Sequence, residues 1–376
     1  MSDRDKKKKF RTEFRKNRAP RTRERDWTKR AGDGDDEQLH DVAHGERLSG
    51  KGELTKKRTI VGAATDDDGG MQINVDADCR RGRVLSVFGL TCLVEAEDGS
   101  TLQCAVRRIL KTLATDERHV VVAGDEVFYR PDNAGEGMIE RVEPRRGVIS
   151  RTSRGRQHVI AANVEQMCVV SSAAEPYLKP HLIDRLIVSA ERAGIRPIIC
   201  ITKIDLIEPH ELQPLIGTYS RCGYDVLPLS ARAGLNIDAL RKLVAGRRTV
   251  VVGQSGVGKS SLLNAIEPQL NLRVGVVSEE TQKGKHTTTT AKLVKLASGG
   301  YVVDTPGIRS MELWDIIPEE VCGEFRDLRP FVNHCRFPDC THQHEAGCAV
   351  KDAVADGRLD VRRYESYLQL FAGDDA

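Results

Sequence analysis

A glycine-rich segment in the middle of the chain places the strongest constraint on its fold. Residues 249–252 read Thr-Val-Val-Val, a β-branched run suited to a buried parallel strand. The residues from Gly253 to Ser260 read Gly-Gln-Ser-Gly-Val-Gly-Lys-Ser, and Ser261-Leu-Leu-Asn-Ala-Ile follows as a helix start. Strand, glycine loop and helix in this order are the context of a phosphate-binding loop. The segment therefore predicts an α/β domain built on a parallel sheet.

The loop residues have separate predicted roles. Glycines let backbone N–H groups turn inward around phosphate oxygens, and the new helix points its positive end at the same phosphates. Lys259 is expected to reach the β- and γ-phosphates, and Ser260 to ligate Mg²⁺. The alternative is a glycine-rich turn with a solvated lysine. The predicted nucleotide-contacting residues here are Gly253, Gln254, Ser255, Gly256, Val257, Gly258, Lys259, Ser260 and Ser261.

A second strand-to-loop junction lies further along the chain. Asp304-Thr-Pro-Gly307 follows the strand-like Tyr301-Val-Val. Asp304 fits the Walker-B role of holding Mg²⁺, and the Gly307 N–H fits a contact to a γ-phosphate. Alone, these four residues would indicate an ordinary Pro-Gly turn. After a phosphate loop they indicate a nucleotide-sensing segment.

Guanine is indicated by Thr202-Lys203-Ile204-Asp205, which follows the apolar run 197–201. The carboxylate of Asp205 can accept hydrogen bonds from guanine N1–H and from its exocyclic amine, a donor pair that adenine lacks. An ATPase is therefore disfavoured. The first residue of such a motif is usually Asn, and the Thr202 hydroxyl can make only one of the asparagine's bonds. Ser230-Ala231, after Val226-Leu-Pro-Leu, would offer a backbone N–H to guanine O6.

The order of these motifs is unusual. The guanine-reading residues precede the phosphate loop, whereas ordinary small GTPases have the phosphate loop first. Both orders can build one pocket, because a site needs its loops close in space and not in chain order. The sequence thus predicts a circularly permuted GTPase domain, in which the segment after Gly307 leads directly into the C-terminal region.

Residues 284–290 read Gly-Lys-His-Thr-Thr-Thr-Thr, between the phosphate loop and Asp304. A threonine that binds Mg²⁺ and senses the γ-phosphate is expected here, and we favour Thr288 or Thr289. Ile308 stands where Ras-like proteins have a water-orienting glutamine, which predicts slow intrinsic hydrolysis. His286 is the nearest candidate to position or deprotonate the water, and a solvated loop histidine is the alternative.

Three of the ten cysteines form a cluster in sequence, in the pattern Cys335-x4-Cys340-x-His342-x5-Cys348. Three thiolates and one imidazole at this spacing can close a tetrahedral Zn²⁺ site, which predicts one structural zinc ion. His334 and His344 are possible substitute ligands. The other seven cysteines are predicted to be buried thiols. Free thiols, without a signal peptide or transmembrane run, predict a cytoplasmic protein with no membrane partner.

The net charge of +3 is unevenly distributed, since residues 1–30 carry 14 Lys/Arg and only 5 Asp/Glu. Residues 1–78 are polar enough to predict a basic, disordered extension that binds a nucleic-acid backbone, with a solvated arm as the alternative. The next 65 or so residues predict a β-barrel of the OB type, with a generic protein-binding barrel as the alternative. The predicted strands are 83–95, 101–106, 120–122, 124–129 and 137–142.

The remaining organisation follows from these elements. We predict a multidomain chain with an N-terminal OB barrel at 79–147, a permuted P-loop GTPase domain at 148–313 and a helical zinc-binding domain at 314–376. A helix is expected over 180–193. A last helix over 361–371 would place Tyr364, Leu368 and Phe371 on one face.

This combination resembles the ribosome small-subunit-dependent GTPase A family over about residues 80–371. The permuted GTPase motifs, the barrel and the Cys-x4-Cys-x-His-x5-Cys segment together carry the resemblance. Further matching segments are Ile160–Gln166, Gly284–Thr289, Asp304–Gly307, Asp339–His342, Cys348–Val350 and Arg363–Tyr367. The departures are Thr202 in place of Asn and the long basic N-terminus.

The resemblance implies a late assembly factor that binds the maturing 30S subunit and its 16S rRNA as a monomer. GTP hydrolysis would be faster on the subunit, and the GDP form would leave it. The alternative is a GTP-binding, RNA-binding protein that acts on another ribosomal or RNA target.

Overall fold

The computed structural model describes residues 9–12, 58–61, 63–65, 71–73, 77–89, 91–107, 110, 120–132, 135–153, 156–272, 291–304 and 318–373. Among the helices in these ranges, none has the length and apolar character needed to cross a bilayer. Two compact units are formed: residues 1–77 with 107–116, and residues 78–106 with 117–376.

The first unit contains two short antiparallel strand pairs in its described residues. β1 (Lys9–Thr12) pairs with β2 (Arg58–Val61), and β3 (Ala63–Thr65) pairs with β4 (Met71–Ile73). Most of residues 1–76 lies outside the described residues. The expected disorder and nucleic-acid binding of this extension stay predictions.

The second unit begins with a closed five-stranded barrel, as the sequence predicts. The strand order is β5-β6-β7-β9-β8, and β8 returns to pair with β5. β7 and β9 run parallel, whereas the other neighbours are antiparallel. The strands are β5 (Arg80–Phe88), β6 (Thr91–Ala96), β7 (Thr101–Val106), β8 (Glu126–Pro131) and β9 (Glu136–Val142).

Two of the strand predictions in the barrel are wrong in detail. The run 83–95 is a hairpin of β5 and β6, because the chain turns at Gly89, whose φ is 61°. The run 120–122 forms no strand although Val121 and Val122 are buried. Its backbone is instead fixed by Asp125, whose carboxylate accepts the Val122 N–H at 2.8 Å. Apolar, β-branched composition predicted the burial of this segment but not its backbone pairing.

A six-stranded sheet follows, in the order β14-β13-β12-β15-β17-β16. All neighbours are parallel except β16 and β17, which are antiparallel. A hairpin of β10 (Ile149–Ser153) and β11 (Arg156–Ala161) precedes it. The sheet strands are β12 (Gln166–Ser172), β13 (Arg196–Thr202), β14 (Asp225–Pro228), β15 (Arg248–Val252), β16 (Lys292–Lys295) and β17 (Tyr301–Asp304).

Helices cover both faces of this sheet. Met167 and Val169 of β12 face a core shared with α1 and α2, whereas Cys168 and Val170 face a core shared with α3 and α4. This alternation is the period-two pattern of a strand buried on both sides. The helices are α1 (Pro180–Arg192), α2 (Pro209–Arg221), α3 (Ile237–Val244) and α4 (Lys259–Ile266), with 3₁₀ turns at Ile204–Leu206 and Pro268–Leu270.

The C-terminal region is helical and shares its core with α1. Val188 of α1 is buried in the same cluster as Phe325, Val350 and Tyr367. Tyr364, Leu368 and Phe371 pack against that cluster from one face of the last helix, as the periodicity predicts. The helices are α5 (Pro318–Glu324), α6 (Arg329–Val332), α7 (Ala349–Ala355) and α8 (Val361–Ala372).

Buried charges join α8 to two helices of the six-stranded sheet. Arg363 of α8 is 1% exposed, and its guanidinium donates to Asp184 of α1 and, through two bonds of 2.9 Å, to Asp327. The Tyr219 hydroxyl of α2 donates to the same Asp184 at 2.7 Å. The C-terminal region is therefore anchored by a hydrogen-bonded ion cluster as well as by apolar packing.

Candidate nucleotide-binding and metal sites

The phosphate-loop segment lies at the carboxyl edge of the parallel sheet, between β15 and α4. Gly253 has a φ of 146°, and a Cβ there would meet the Val170 carbonyl oxygen at 2.0 Å. Gly258, with a φ of 93°, is the residue before the first turn of α4. Only glycine fits the first position, and only glycine adopts these φ values without strain. The sequence thus builds a tight loop that delivers backbone N–H groups to one side of the strand end.

Lys259 and Ser260 open α4, with Ser261 after them. The Lys259 ammonium donates to the Gly253 carbonyl at 2.7 Å and also to the carbonyl of Gln254. It therefore lies over the loop that precedes it. Ser255 and Gly256 are exposed at the tip, whereas Val257 is 2% exposed and packs into the core under the loop. An anion on the loop would be within reach of the lysine and the helix N-terminus.

The guanine-motif residues follow β13, two strands from β15. Lys203 has a φ of 59°, and its ammonium donates to the Glu175 carbonyl. Asp205 lies in the following 3₁₀ turn and is exposed. A hydrogen bond from the buried Ser230 lowers the pKa of Asp205, so its carboxylate is ionised at neutral pH. Ala231 comes next in the chain, and the structure thus brings both halves of the predicted base-binding set together.

Thr202 connects the base-binding and phosphate-binding loops. Its side chain is buried, and its hydroxyl oxygen lies 2.6 Å from the Val257 carbonyl and 3.2 Å from the Ser171 carbonyl. A hydroxyl has one proton, so the shorter contact, to Val257, is the one that it makes as a donor. Threonine therefore provides the tie to the phosphate loop at the position where asparagine was expected. This link between residues 55 apart in the chain was not predicted.

Asp304 ends β17, which pairs in parallel with β15, so its backbone lies at the same sheet edge as the phosphate loop. Gly307, His286, Thr288 and Thr289 lie outside the described residues.

A second candidate site lies between α6 and α7. The side-chain ligand atoms of Cys335, Cys340, His342 and Cys348 lie within 4.8 Å of one another. Cys335 Sγ is 3.4 Å from His342 Nδ1 and 3.9 Å from Cys348 Sγ, and Cys348 Sγ is 3.5 Å from the same nitrogen. Tetrahedral zinc ligands at ordinary bond lengths are about 3.5–3.8 Å apart. The four side chains therefore fit one tetrahedral metal ion.

Residues around these four side chains fix the loop that carries them. The Tyr364 hydroxyl donates to the His342 carbonyl at 2.6 Å, and the Tyr367 hydroxyl donates to the Thr341 carbonyl at 2.7 Å. Glu345 accepts the Thr341 and Gln343 N–H groups, and its hydrogen bond from the Thr341 hydroxyl contributes most to lowering its pKa to about 2. These contacts hold the backbone of His342 in its left-handed conformation, with a φ of 58°. The sequence pattern identified the ligand atoms but not these supporting groups.

His334 and His344 are exposed and stand apart from the four-residue cluster. Of the seven isolated cysteines, five are buried, and Cys79 and Cys222 are half-buried; all seven are free thiols.

Comparison with known proteins shows which family has this combination of sites. Residues 142–314 match the sequence profile of the RsgA GTPase family. A protein of Azotobacter vinelandii named "Small ribosomal subunit biogenesis GTPase RsgA" is 41% identical over 303 residues, which cover 78% of this chain and 85% of the relative. The chain belongs to the RsgA GTPase family.

Solved structures of similar proteins agree with this membership. YjeQ from Thermotoga maritima has a TM-score of 0.65 and 35% identity, and the match covers 78% of this chain and 98% of YjeQ. YloQ, described as a circularly permuted GTPase, has a TM-score of 0.64 and 32% identity, with 79% and 95% covered. The similarity to these solved structures thus covers about four fifths of this chain.

Proposed function

We propose that this chain is a GTP hydrolase that binds the small ribosomal subunit and acts in its late maturation. The observation that carries the proposal is the joining of the guanine motif to the phosphate loop through Thr202 and Val257, in a chain of the RsgA GTPase family. Relatives at about 40% identity are named for small ribosomal subunit biogenesis. Hydrolysis is stimulated by the 30S subunit, and the GDP form is released.

The nucleotide is held by the residues at the carboxyl edge of the sheet. Backbone N–H groups of 253–258 and the start of α4 hold the phosphates, and Lys259 turns from the loop carbonyls to the phosphate oxygens. Asp205 and the Ala231 N–H read the guanine edge, and the ionised state of Asp205 suits two guanine donors. Thr202 ties the base-binding loop to the phosphate loop, and Lys203 ties it to the loop after β12 at the Glu175 carbonyl.

Mg²⁺, when bound, neutralises phosphate charge during hydrolysis. Ser260 and Asp304 are its proposed ligands, since Ser260 comes after β15 and Asp304 ends the neighbouring parallel strand β17. Thr288 or Thr289 completes the set and senses the γ-phosphate together with the Gly307 N–H. His286 positions the attacking water. These last assignments rest on sequence position alone.

The second metal is a structural zinc ion on Cys335, Cys340, His342 and Cys348. Four ligands leave no open coordination position, so the ion stabilises the loop between α6 and α7 and takes no part in hydrolysis. Burial lowers the pKa of His342, which favours the neutral imidazole that a metal requires.

We assign rRNA binding to the barrel. Its strand order and its parallel β7–β9 pair fit the OB type, a common oligonucleotide-binding module. The proposed division is a basic extension at 1–78, the barrel at 79–147, the GTPase domain at 148–313 and the zinc domain at 314–376. The partner is the 30S subunit with its 16S rRNA, bound by a monomer in the cytoplasm where subunits mature.

Sedimentation with purified ribosomal subunits tests the proposal. The full chain should pellet with 30S and not with 50S in a non-hydrolysable GTP analogue, and should stay in the supernatant with GDP. Binding to neither subunit, or equally to both, would refute the small-subunit role. The second candidate, a GTP-dependent RNA-binding protein with another target, would then be favoured, since only the nucleotide site would retain support.

A further inference from the structure

The barrel meets the nucleotide-binding sheet through a buried carboxylate. Glu95 of β6 has a side chain only 7% exposed, and it accepts hydrogen bonds from the Lys295 ammonium at 2.7 Å and from the Tyr301 hydroxyl. The Arg83 guanidinium lies 4.9 Å from the centroid of the Tyr301 ring. Burial alone would raise the pKa of Glu95, but the bonds from Lys295 and Tyr301 bring it below its usual value. The carboxylate is thus ionised at neutral pH and depends on these partners.

The partners of Glu95 belong to β16 and β17, the two strands next in the chain to the predicted nucleotide-sensing residues. Lys295 ends β16, which follows the segment containing Thr288 and Thr289 in the chain. Tyr301 begins β17, which ends at Asp304. The two strands are antiparallel neighbours, with Lys292 opposite Asp304. One barrel side chain therefore holds both strands at the end away from Asp304.

The barrel also joins the sheet through its backbone. Lys292 of β16 pairs with Ser86 of β5, which makes the barrel and the sheet one continuous set of eleven strands. A small displacement of the barrel would thus move β16 directly, and the Glu95 carboxylate would carry β17 with it. Packed elements of this kind shift as units between discrete arrangements.

A second ionic contact between the barrel and the sheet ends on a different strand, β15. Glu126 of β8 accepts from Arg248 at 3.1 Å, and Arg248 is the first residue of β15. That end of β15 is opposite to the phosphate loop, and Arg248 is also held by Glu165. Glu126 therefore joins the barrel to β15, whose Arg248 lies opposite Tyr301 of β17 in the sheet. Its side-chain ion pair goes to Arg248 and not to Lys295 or Tyr301, which makes it a control for the side-chain contacts of Glu95.

We propose that Glu95 is a positioning residue for GTP hydrolysis, through which contact of the barrel with the small subunit fixes β16 and β17 and so the placement of Asp304. The inference rests on the proposed function, because it specifies the route by which the subunit stimulates the same site. Glu95 is not one of the proposed nucleotide or metal ligands, and it acts through Lys295 and Tyr301.

The test compares full-length wild type with Glu95→Gln, Tyr301→Phe and the control Glu126→Gln. GTP turnover is measured with and without 30S, together with the KM for GTP, the 30S affinity by sedimentation, and the melting temperature. Glu95→Gln and Tyr301→Phe should lower the 30S-stimulated kcat by about ten-fold, less than the roughly hundred-fold loss that a misplacement of about 1 Å can cause. The KM for GTP and the 30S affinity should stay at wild-type values. Glu126→Gln should be stimulated like the wild type.

Other outcomes would count against the inference or against the proposed function. Full stimulation of both Glu95→Gln and Tyr301→Phe would overturn the inference. Equal loss in Glu126→Gln, or loss that tracks a lower melting temperature or weaker 30S binding, would show that Glu95 is only an interface contact. A wild-type protein without 30S stimulation would refute the proposed function, and this inference with it, so the two failures are told apart by the wild-type measurement.

Discussion

Replacing Arg363 should destabilise the chain far more than replacing its neighbour Arg362. Arg363→Met keeps much of the side-chain volume but leaves Asp184 and Asp327 without their guanidinium. Asp184 is fully buried. Removing one partner of a buried ion pair costs about 3–5 kcal/mol, because the other charge is left in the interior. Against a total stability of about 5–15 kcal/mol, such a loss is large.

Arg362 is the matched control on the same helix. Its side chain is 40% exposed and pairs with Asp360 at 2.8 Å. An exposed pair of this kind contributes about 1 kcal/mol or less. Both variants would be unfolded in urea and followed by far-ultraviolet circular dichroism, with Arg362→Met beside Arg363→Met. Equal destabilisation of the two at pH 8 would refute the assignment of Arg363 as the anchor of the C-terminal region.

The loss of stability in Arg363→Met should also depend on pH. Burial raises the pKa of Asp184, and the charge of Arg363 opposes that rise. Without Arg363 the folded-state pKa of Asp184 rises further above its unfolded value, so the folded variant binds more protons than the unfolded chain. The stability of the variant therefore falls as the pH rises from the unfolded-state pKa of Asp184 to its folded-state pKa. The Arg363→Met deficit should be smaller at pH 5.5 than at pH 8, and a deficit independent of pH would contradict this explanation.

Three further outcomes follow from the sites. Thr202→Val should weaken GTP and GDP binding about ten-fold by leaving the Val257 carbonyl unpaired, whereas Thr202→Ser should bind as the wild type; fluorescent-nucleotide titration measures both. Metal analysis should find one zinc ion per chain, lost in Cys335→Ser and kept in Cys222→Ser, and equal zinc content in the two would contradict the metal site. Asp205→Asn should reduce the preference for GTP over ATP in competition binding, and an unchanged preference would remove Asp205 from base recognition.

Local patterns predicted much of this structure. The loop 253–260 and the segment 335–348 could be predicted because their key residues lie close together in the chain. The spacing of the glycines and of the metal ligands by itself determines which site they can form. The five-stranded barrel and the last helix also followed from periodicity. The run 83–95 has the pattern of a single strand because its apolar residues continue through the turn, and the positive φ of Gly89 breaks it.

Contacts between distant residues could not be predicted in the same way. Glu95 and Tyr301 are 206 positions apart, and Asp184 and Arg363 are 179 apart. Nothing in either local sequence says which strand or helix will lie opposite. The role of Thr202 was missed for the same reason, because its partner is a backbone carbonyl with no sequence signature. Such links depend on how the elements pack together.

The most direct test of the account is GTP hydrolysis by the purified full chain, alone, with 30S and with 50S, beside a Lys259→Ala variant. The account predicts slow turnover alone, strong stimulation by 30S, none by 50S, and no turnover in Lys259→Ala. Turnover that 30S leaves unchanged, or that survives in Lys259→Ala, would contradict it.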